Sequence, residues 1–184
     1  ISDIGRLLRL RINEESLPLM GRLAQGPMTM RLLPGEQIIG AVCTEQAPLM
    51  LFSQRGLVAR IDCSSVRYNQ RGDLGSMAVQ VDAESDRLVG ISAGTELVGV
   101  RTSKDRHGRL DPEDINISNP GEKLMEQTSL QDGETIVEVI NAIQPNPYPR
   151  SGAAILLQPL EIIFIDSTGH IVAIKTRHLQ VLYL

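Results

Sequence analysis

Four short turns recur along this 184-residue chain, each placed between an apolar run and an apolar or arginine-dotted return. The turn glycines are Gly5, Gly56, Gly108 and Gly169. They are separated by 51, 52 and 61 residues, which indicates an internal repeat of about fifty residues. Because glycine adopts positive φ at little cost, each turn predicts a tight β-hairpin.

Residues 47–94 represent one repeat, with a hairpin over 49–61 and a loop rich in Arg and Gly over 67–75. Two further short strands are predicted at 77–81 and 87–92. Short alternating strands, with no segment of helical period, predict an all-β fold. A four-stranded antiparallel unit cannot bury both faces alone, so we expect about four such blades to stack in a propeller-like single domain. The predicted blades cover residues 1–46, 47–94, 95–143 and 150–184. The half repeats at the two ends leave open whether the blades close into a ring or belong to a longer array.

The composition excludes several classes of protein. With no Trp, two Phe and three Tyr, the core is predicted to be aliphatic. No apolar run approaches the roughly 18 residues that a membrane span needs. Cys43 and Cys63 lack metal-ligand spacing and are expected as free, buried thiols. No catalytic constellation, metal site or cofactor motif is predicted.

The net charge of −4 is unevenly distributed. Residues 1–80 carry +2, residues 81–148 carry −7 and residues 149–184 carry +1. A polyanion would therefore have to avoid the middle segment or meet it weakly.

Two stretches carry a family resemblance: Gly21-Arg22-Leu23-Ala24-Gln25-Gly26-Pro27-Met28-Thr29-Met30-Arg31-Leu32, and the succession of hairpin, Arg/Gly loop and Val-Gly strand over 47–94. This pattern resembles the blades of the C-terminal domain found in the A subunits of bacterial DNA gyrase and the related topoisomerase IV. The resemblance implies a β-pinwheel, a propeller-like disc with a different strand order, whose rim binds, bends and wraps duplex DNA.

Further expectations follow from the same resemblance. The full-length protein would be part of an ATP-dependent type II DNA topoisomerase, partnered by the A-subunit dimer and by the ATPase subunit, while this domain alone would not be an enzyme. It would be bacterial, cytoplasmic and nucleoid-associated, with no membrane partner. The nearest match to the gyrase Gln-Arg-Arg-Gly-Gly-Lys-Gly box is Gln70–Ser76, which has one Arg, no Lys and an Asp. The alternative is therefore a propeller-like protein-interaction module that has lost DNA binding.

Phosphate binding requires positive charge, and glycines beside it let backbone N–H groups approach closely. The predicted DNA-binding residues are Arg22, Arg31, Arg67 and Arg71 in the loops, and Arg55, Lys104, Arg106, Lys175 and Arg177 in the blade turns. Tyr68 is expected to lie against a sugar or an Arg side chain. The competing interpretation is that these are solvated surface cations in glycine turns. Gly26 and Gly75 are expected at equivalent loop positions with strained φ or a close backbone neighbour.

Overall fold

A computed structural model gives the fold and describes residues 1–21, 23–43 and 47–141, with the backbone of two further strands at 160–165 and 171–177. Within those ranges all regular structure is β-strand apart from two short 3₁₀ helices, Cys63–Ser65 and Pro112–Asp114, which confirms the all-β prediction. None of the helical segments described there has the length and apolar character that a membrane crossing requires. The strands are β1 Arg6–Leu7, β2 Leu49–Ser53, β3 Leu57–Ile61, β4 Ser76–Met77, β5 Val79–Gln80, β6 Leu88–Ala93, β7 Val98–Thr102, β8 His107–Leu110, β9 Ile117–Ser118, β10 Glu122–Lys123, β11 Met125–Glu126, β12 Ile136–Asn141, β13 Leu160–Ile165 and β14 Ile171–Arg177.

On its β3 side, the central sheet takes two strands from the following repeat. Its order is β11-β3-β2-β6, and β9 also pairs with β3. The hairpin β2–β3 is antiparallel with Leu49 opposite Ile61, whereas β9 joins β3 in parallel. One repeat earlier, β4 pairs with β1 in the same way that β11 pairs with β3. Strands β4 and β5 therefore belong to other sheets than the hairpin that precedes them, and this exchange interlocks neighbouring repeats.

The central sheet is buried on both faces because its apolar side chains alternate between two clusters. Leu49 and Leu51 of β2 pack into a cluster with residues of the first repeat. Met50 and Phe52 pack on the opposite face against β7, β8 and β12. Since successive side chains of a strand point to opposite faces, an uninterrupted apolar run suits a strand covered on both sides. The core is aliphatic as predicted, apart from the fully buried Phe52.

The third hairpin turn differs from its prediction. Gly5 and Gly56 have the left-handed φ values of 91° and 81° that their turns require. In the third repeat that conformation belongs to Asp105, with φ 57°, while Gly108 lies inside β8. Aspartate tolerates the left-handed region because its short polar side chain bonds locally, so the glycine pattern pointed to the wrong residue. Gly169 lies outside the described residues.

A buried carboxylate lies at a corresponding place in each of the three repeats within residues 1–141. In chain order these residues are Glu36, Asp86 and Glu134. Arg6 forms an ion pair with Glu36, and Arg106 forms one with Glu134 at 2.7 Å. In the second repeat, Leu57 takes the position that Arg6 has in the first, directly after the turn glycine. The Asp86 carboxylate therefore has no such arginine, and its Oδ2 is buried without a partner among the described residues.

These carboxylates predict acid-sensitive stability. Burial alone would raise the pKa of Glu36, but hydrogen bonds from Arg6 and the Leu33 N–H outweigh it and lower the pKa below its ordinary 4.5. The Thr102 hydroxyl and the Gln131 N–H lower the pKa of Glu134. A depressed folded-state pKa stabilises the fold at pH values above the unfolded pKa, and this contribution is lost as pH falls through the folded pKa. We expect the urea concentration at the midpoint of unfolding to decrease as the pH is lowered below about 4.5. In Glu36→Gln this acid-dependent fall should be smaller, and an unchanged fall would contradict the assignment.

Candidate nucleic-acid interface

Neighbouring repeats bring basic side chains together where β1 ends. Arg9 and Tyr68 form a parallel backbone bridge, and the Asn69 N–H donates to the Arg9 carbonyl at 2.8 Å. Arg9 and Arg11 meet the Tyr68 ring at this junction, and Arg67 and Arg71 lie on the same loop as Tyr68. We call these five residues the Tyr68 cluster.

The Tyr68 ring is contacted by two guanidinium groups. The Cζ atom of Arg9 lies 4.1 Å from the ring centroid, and that of Arg11 lies 4.8 Å away. Both distances are within the range of cation–π attraction, which restrains the two long side chains. Arg11 is exposed and Tyr68 is 49% exposed, so part of this stack faces solvent.

Arg9 also ties the stack to the second repeat. Its Nη1 donates to the carbonyls of Cys63 at 2.7 Å and Val66 at 2.9 Å, at the two ends of the first 3₁₀ helix. Hydrogen bonds from the Ser64 hydroxyl and N–H lower the pKa of Asp62, and the charge of Arg9 lowers it further. The Arg9 guanidinium is therefore occupied by contacts within the protein, while the other three arginines of the cluster are exposed.

The loop that carries Arg71 is held by its backbone. The Gln70 N–H donates to Oδ2 of Asp73 at 2.9 Å, and Gly72 turns the chain with φ 83°. The Gly72 N–H donates to the Thr29 carbonyl at 2.8 Å, which anchors the loop to the first repeat. Arg71 reaches back to the Ser16 carbonyl, 3.5 Å from its Nη1, a long contact that leaves its charge available.

The corresponding loop of the third repeat lacks this group of cations. Ile117 pairs with Arg60 as Tyr68 pairs with Arg9. Pro120 precedes the left-handed Gly121, where Arg71 precedes Gly72 in the second repeat. The loop continues into the exposed pair Glu122–Lys123 and then Met125–Glu126. An anion would therefore meet positive charge at the Tyr68 cluster and a mixed, more acidic surface one repeat later.

The structure describes the side chains of six of the nine predicted DNA-binding residues. Arg67 and Arg71 belong to the Tyr68 cluster, and Arg31 joins the same loop through its N–H, which donates to the Asp73 carbonyl at 3.0 Å. Arg22 lies outside the described residues. For Lys175 and Arg177 only the backbone of β14 is described.

The remaining three predicted residues lie at hairpin turns, at the other end of the strands from the Tyr68 cluster. Arg55 is exposed, and its backbone N–H donates to Asp86. Lys104 contacts the Asp132 carbonyl at 3.0 Å. Arg106 is paired with the buried Glu134, so its charge is largely neutralised where it stands. Arg106 therefore has a structural partner that its exposed-turn pattern did not indicate.

Sequence reasoning missed Arg9 and Arg11. Both lie before the first long loop, where the sequence indicates a return strand that contains arginines. No neighbouring residue indicates that they contact Tyr68. The available signal was the repeat itself, because Arg9 occupies the position of Arg60 in the next return strand.

No group of three or more metal-ligating side chains gathers within the described ranges. Both cysteines are free, as expected. Cys63 is buried but Cys43 is exposed, so the prediction of burial is wrong for Cys43.

Stacked all-β repeats that exchange outer strands define a β-pinwheel, a member of the propeller-like class of folds. The family described as "DNA gyrase C-terminal domain, beta-propeller" matches residues 1–45 and 47–93. The chain belongs to this family, which confirms the resemblance inferred from the loops.

Individual relatives agree with this assignment. The A subunit of DNA topoisomerase 4 from Synechocystis sp. is 31% identical over 93 residues, which cover 50% of this chain and 10% of the relative. The solved C-terminal domain of DNA topoisomerase IV superposes with a TM-score of 0.66 at 17% identity, covering 76% of this chain and 44% of that one. The DNA gyrase A C-terminal domain superposes with a TM-score of 0.67 at 17% identity, covering 76% and 48%. The chain thus spans a tenth of the curated relative and less than half of each solved chain.

Proposed function

We propose that this domain binds duplex DNA without reading its sequence, through the exposed cations of the Tyr68 cluster. The observation that carries the proposal is the stacking of Arg9 and Arg11, from the first repeat, on the half-exposed Tyr68 ring of the second repeat, whose loop also carries the exposed Arg67 and Arg71. Guanidinium groups on a surface bind phosphates, which position a protein on DNA but carry no sequence information. Membership of the DNA gyrase C-terminal domain family supports the same conclusion.

The finer part of the proposal is that binding bends or wraps the duplex. Contacts from successive repeats along a curved rim would favour a bent path, because each added contact offsets some of the cost of deformation. In the full-length topoisomerase, where the A-subunit dimer works with the ATPase subunit, this would support supercoiling or strand passage. In this proposal, the exposed arginines of the Tyr68 cluster supply the phosphate contacts for this role.

A salt titration tests the binding surface. We expect the chain to bind two unrelated duplexes equally, with a Kd on the order of micromolar at physiological salt. Arg67→Ala and Arg71→Ala should each weaken binding to both duplexes by similar factors. Each should also reduce the slope of log K against log[salt] by roughly 0.9. Fluorescence anisotropy at several salt concentrations measures both quantities.

Lys123→Ala is the control, because it removes an exposed cation from the corresponding loop of the third repeat. It should leave the slope unchanged. If it lowers the slope as much as Arg67→Ala does, the binding surface is not confined to the Tyr68 cluster. Energy transfer between dyes at the ends of a longer duplex tests bending, and an unchanged end-to-end distance on binding would refute it.

The second candidate function is protein interaction. Leu19 is 83% exposed and Leu23 is 98% exposed on the first loop, and exposed apolar side chains close in sequence are typical of a docking surface. The acidic segment 81–148 also favours a basic protein partner over DNA. If the chain does not bind duplex DNA even at low salt, this function replaces the first.

A further inference from the structure

We infer that Arg9 is a positioning residue, which holds the cations of the Tyr68 cluster in place without itself contacting phosphate. This inference rests on the proposed DNA binding. Arg9 bonds the carbonyl of Val66, the residue directly before Arg67, and stacks on Tyr68, the residue directly after it. The backbone on both sides of Arg67 is therefore fixed by one side chain from the preceding repeat.

The same connection recurs one repeat later, where no cation cluster comes after it. Nη1 of Arg60 donates to the carbonyls of Pro112 at 2.7 Å and Ile115 at 3.3 Å, at the two ends of the second 3₁₀ helix. Its Nη2 donates to the Gly94 carbonyl at 3.3 Å. We call this arrangement the arginine latch: a return-strand arginine bonded to both ends of the next repeat's 3₁₀ helix.

The two latches differ in the residues that come after the 3₁₀ helix. After the first helix and its cap come Arg67 and Tyr68, and after the second come Asn116 and Ile117. Arg60 is therefore a matched control within the same chain. Loss of either latch should loosen one junction between repeats, but only loss of Arg9 should disturb the proposed DNA surface.

The chemistry of the latch predicts a specific binding signature. Nη1 of Arg9 already donates to two carbonyls, and its guanidinium lies over a ring. Without Arg9, the number of counterions that leave the DNA on binding should therefore stay the same, and so should the salt slope. Affinity should still fall by roughly tenfold, because binding must then order the Tyr68 ring and the backbone beside Arg67, both of which the latch had held.

The experiment compares Arg9→Met, Arg60→Met and Arg67→Ala in the full 184-residue chain. Methionine keeps most of the aliphatic stem and removes the guanidinium. We expect Arg9→Met to weaken duplex binding at unchanged slope, Arg67→Ala to weaken it with a reduced slope, and Arg60→Met to leave affinity unchanged. Arg9→Lys should not restore affinity fully, since an ammonium lacks the planar guanidinium that stacks on the ring.

Amide hydrogen exchange reports the latch without DNA. Arg9→Met should accelerate exchange at residues 64–69 and leave 113–118 protected, while Arg60→Met should do the reverse. If Arg9→Met lowers the salt slope by about 0.9, Arg9 contacts phosphate and the positioning role is wrong. If Arg9→Met binds as wild type while Arg67→Ala does not, the latch is only structural and the proposed function survives. If wild type does not bind DNA at all, both proposals fail, and the exchange data still show whether the latch orders the loop.

Discussion

Replacing Glu36 by Gln is expected to lower the free energy of unfolding by about 3–5 kcal/mol, the usual effect of removing one partner of a buried ion pair. The Glu36 side chain is 1% exposed and that of Arg6 is 8% exposed. Nε of Arg6 donates to Oε1 at 2.8 Å, while Nη2 and the Leu33 N–H both donate to Oε2. A Gln amide would place its own NH₂ against donors and leave Arg6 buried without a counter-charge. Urea denaturation at pH 7 measures the loss.

The other two repeats provide graded controls. Glu134→Gln should cost less, because its partner Arg106 is about half exposed and water can solvate the freed guanidinium. Asp86→Asn should change stability by no more than about 1 kcal/mol, since the oxygen that it replaces has no partner among the described residues. Equal losses for Glu36→Gln and Asp86→Asn would show that the ion pair is not what stabilises the first repeat.

Gly75→Ala is expected to destabilise the fold by about 3 kcal/mol, through backbone strain added to a direct clash. Gly75 has φ 78°, and a Cβ atom there would lie 2.7 Å from the Leu7 carbonyl oxygen and 2.9 Å from its carbon. Backbone atoms cannot move aside as a flexible side chain does, and Leu7 is paired with Ser76 in the β1–β4 sheet. The change would therefore push apart the first two repeats.

Gly72→Ala is the matched control in the same loop. Gly72 has φ 83°, but a Cβ atom there would meet nothing within 4 Å among the described residues. Gly72→Ala should lower the free energy of unfolding by only about 1 kcal/mol, the cost of holding an alanine at positive φ. Thermal melting of the two variants separates clash from strain, and equal melting temperatures would contradict the close approach at Gly75. The equivalence of Gly75 with Gly26 stays a prediction.

The sequence carried much of the fold because its signals are local. Apolar residues in 49–52 and 57–61, broken by a turn glycine, specify a hairpin whatever surrounds it. Repetition of that hairpin then indicated stacked β units. The glycine pattern was misleading at the third turn, where Asp105 adopts the conformation that glycine was expected to supply.

The candidate site was only partly predictable. Arg67, Tyr68 and Arg71 stand out because they lie in one loop with two left-handed glycines. The ion pair of Arg106 with Glu134 could not be predicted, because the two residues are 28 positions apart in the sequence. Arg106 was therefore grouped with the free cations. The blade boundaries and the predicted phosphate contacts stay predictions.

By itself, the sequence determined the strand-forming segments, the first two hairpin turns and the family, because each depends on residue type and spacing within a few tens of residues. Only the tertiary structure decided which strands share a sheet and which arginines remain free. Those outcomes depend on pairing between repeats, such as Arg9 with Tyr68 across 59 positions of the chain. The reason is physical: a guanidinium pairs with whichever carboxylate, carbonyl or ring the packed repeats bring within about 3–5 Å, and that choice is made only when the repeats interlock.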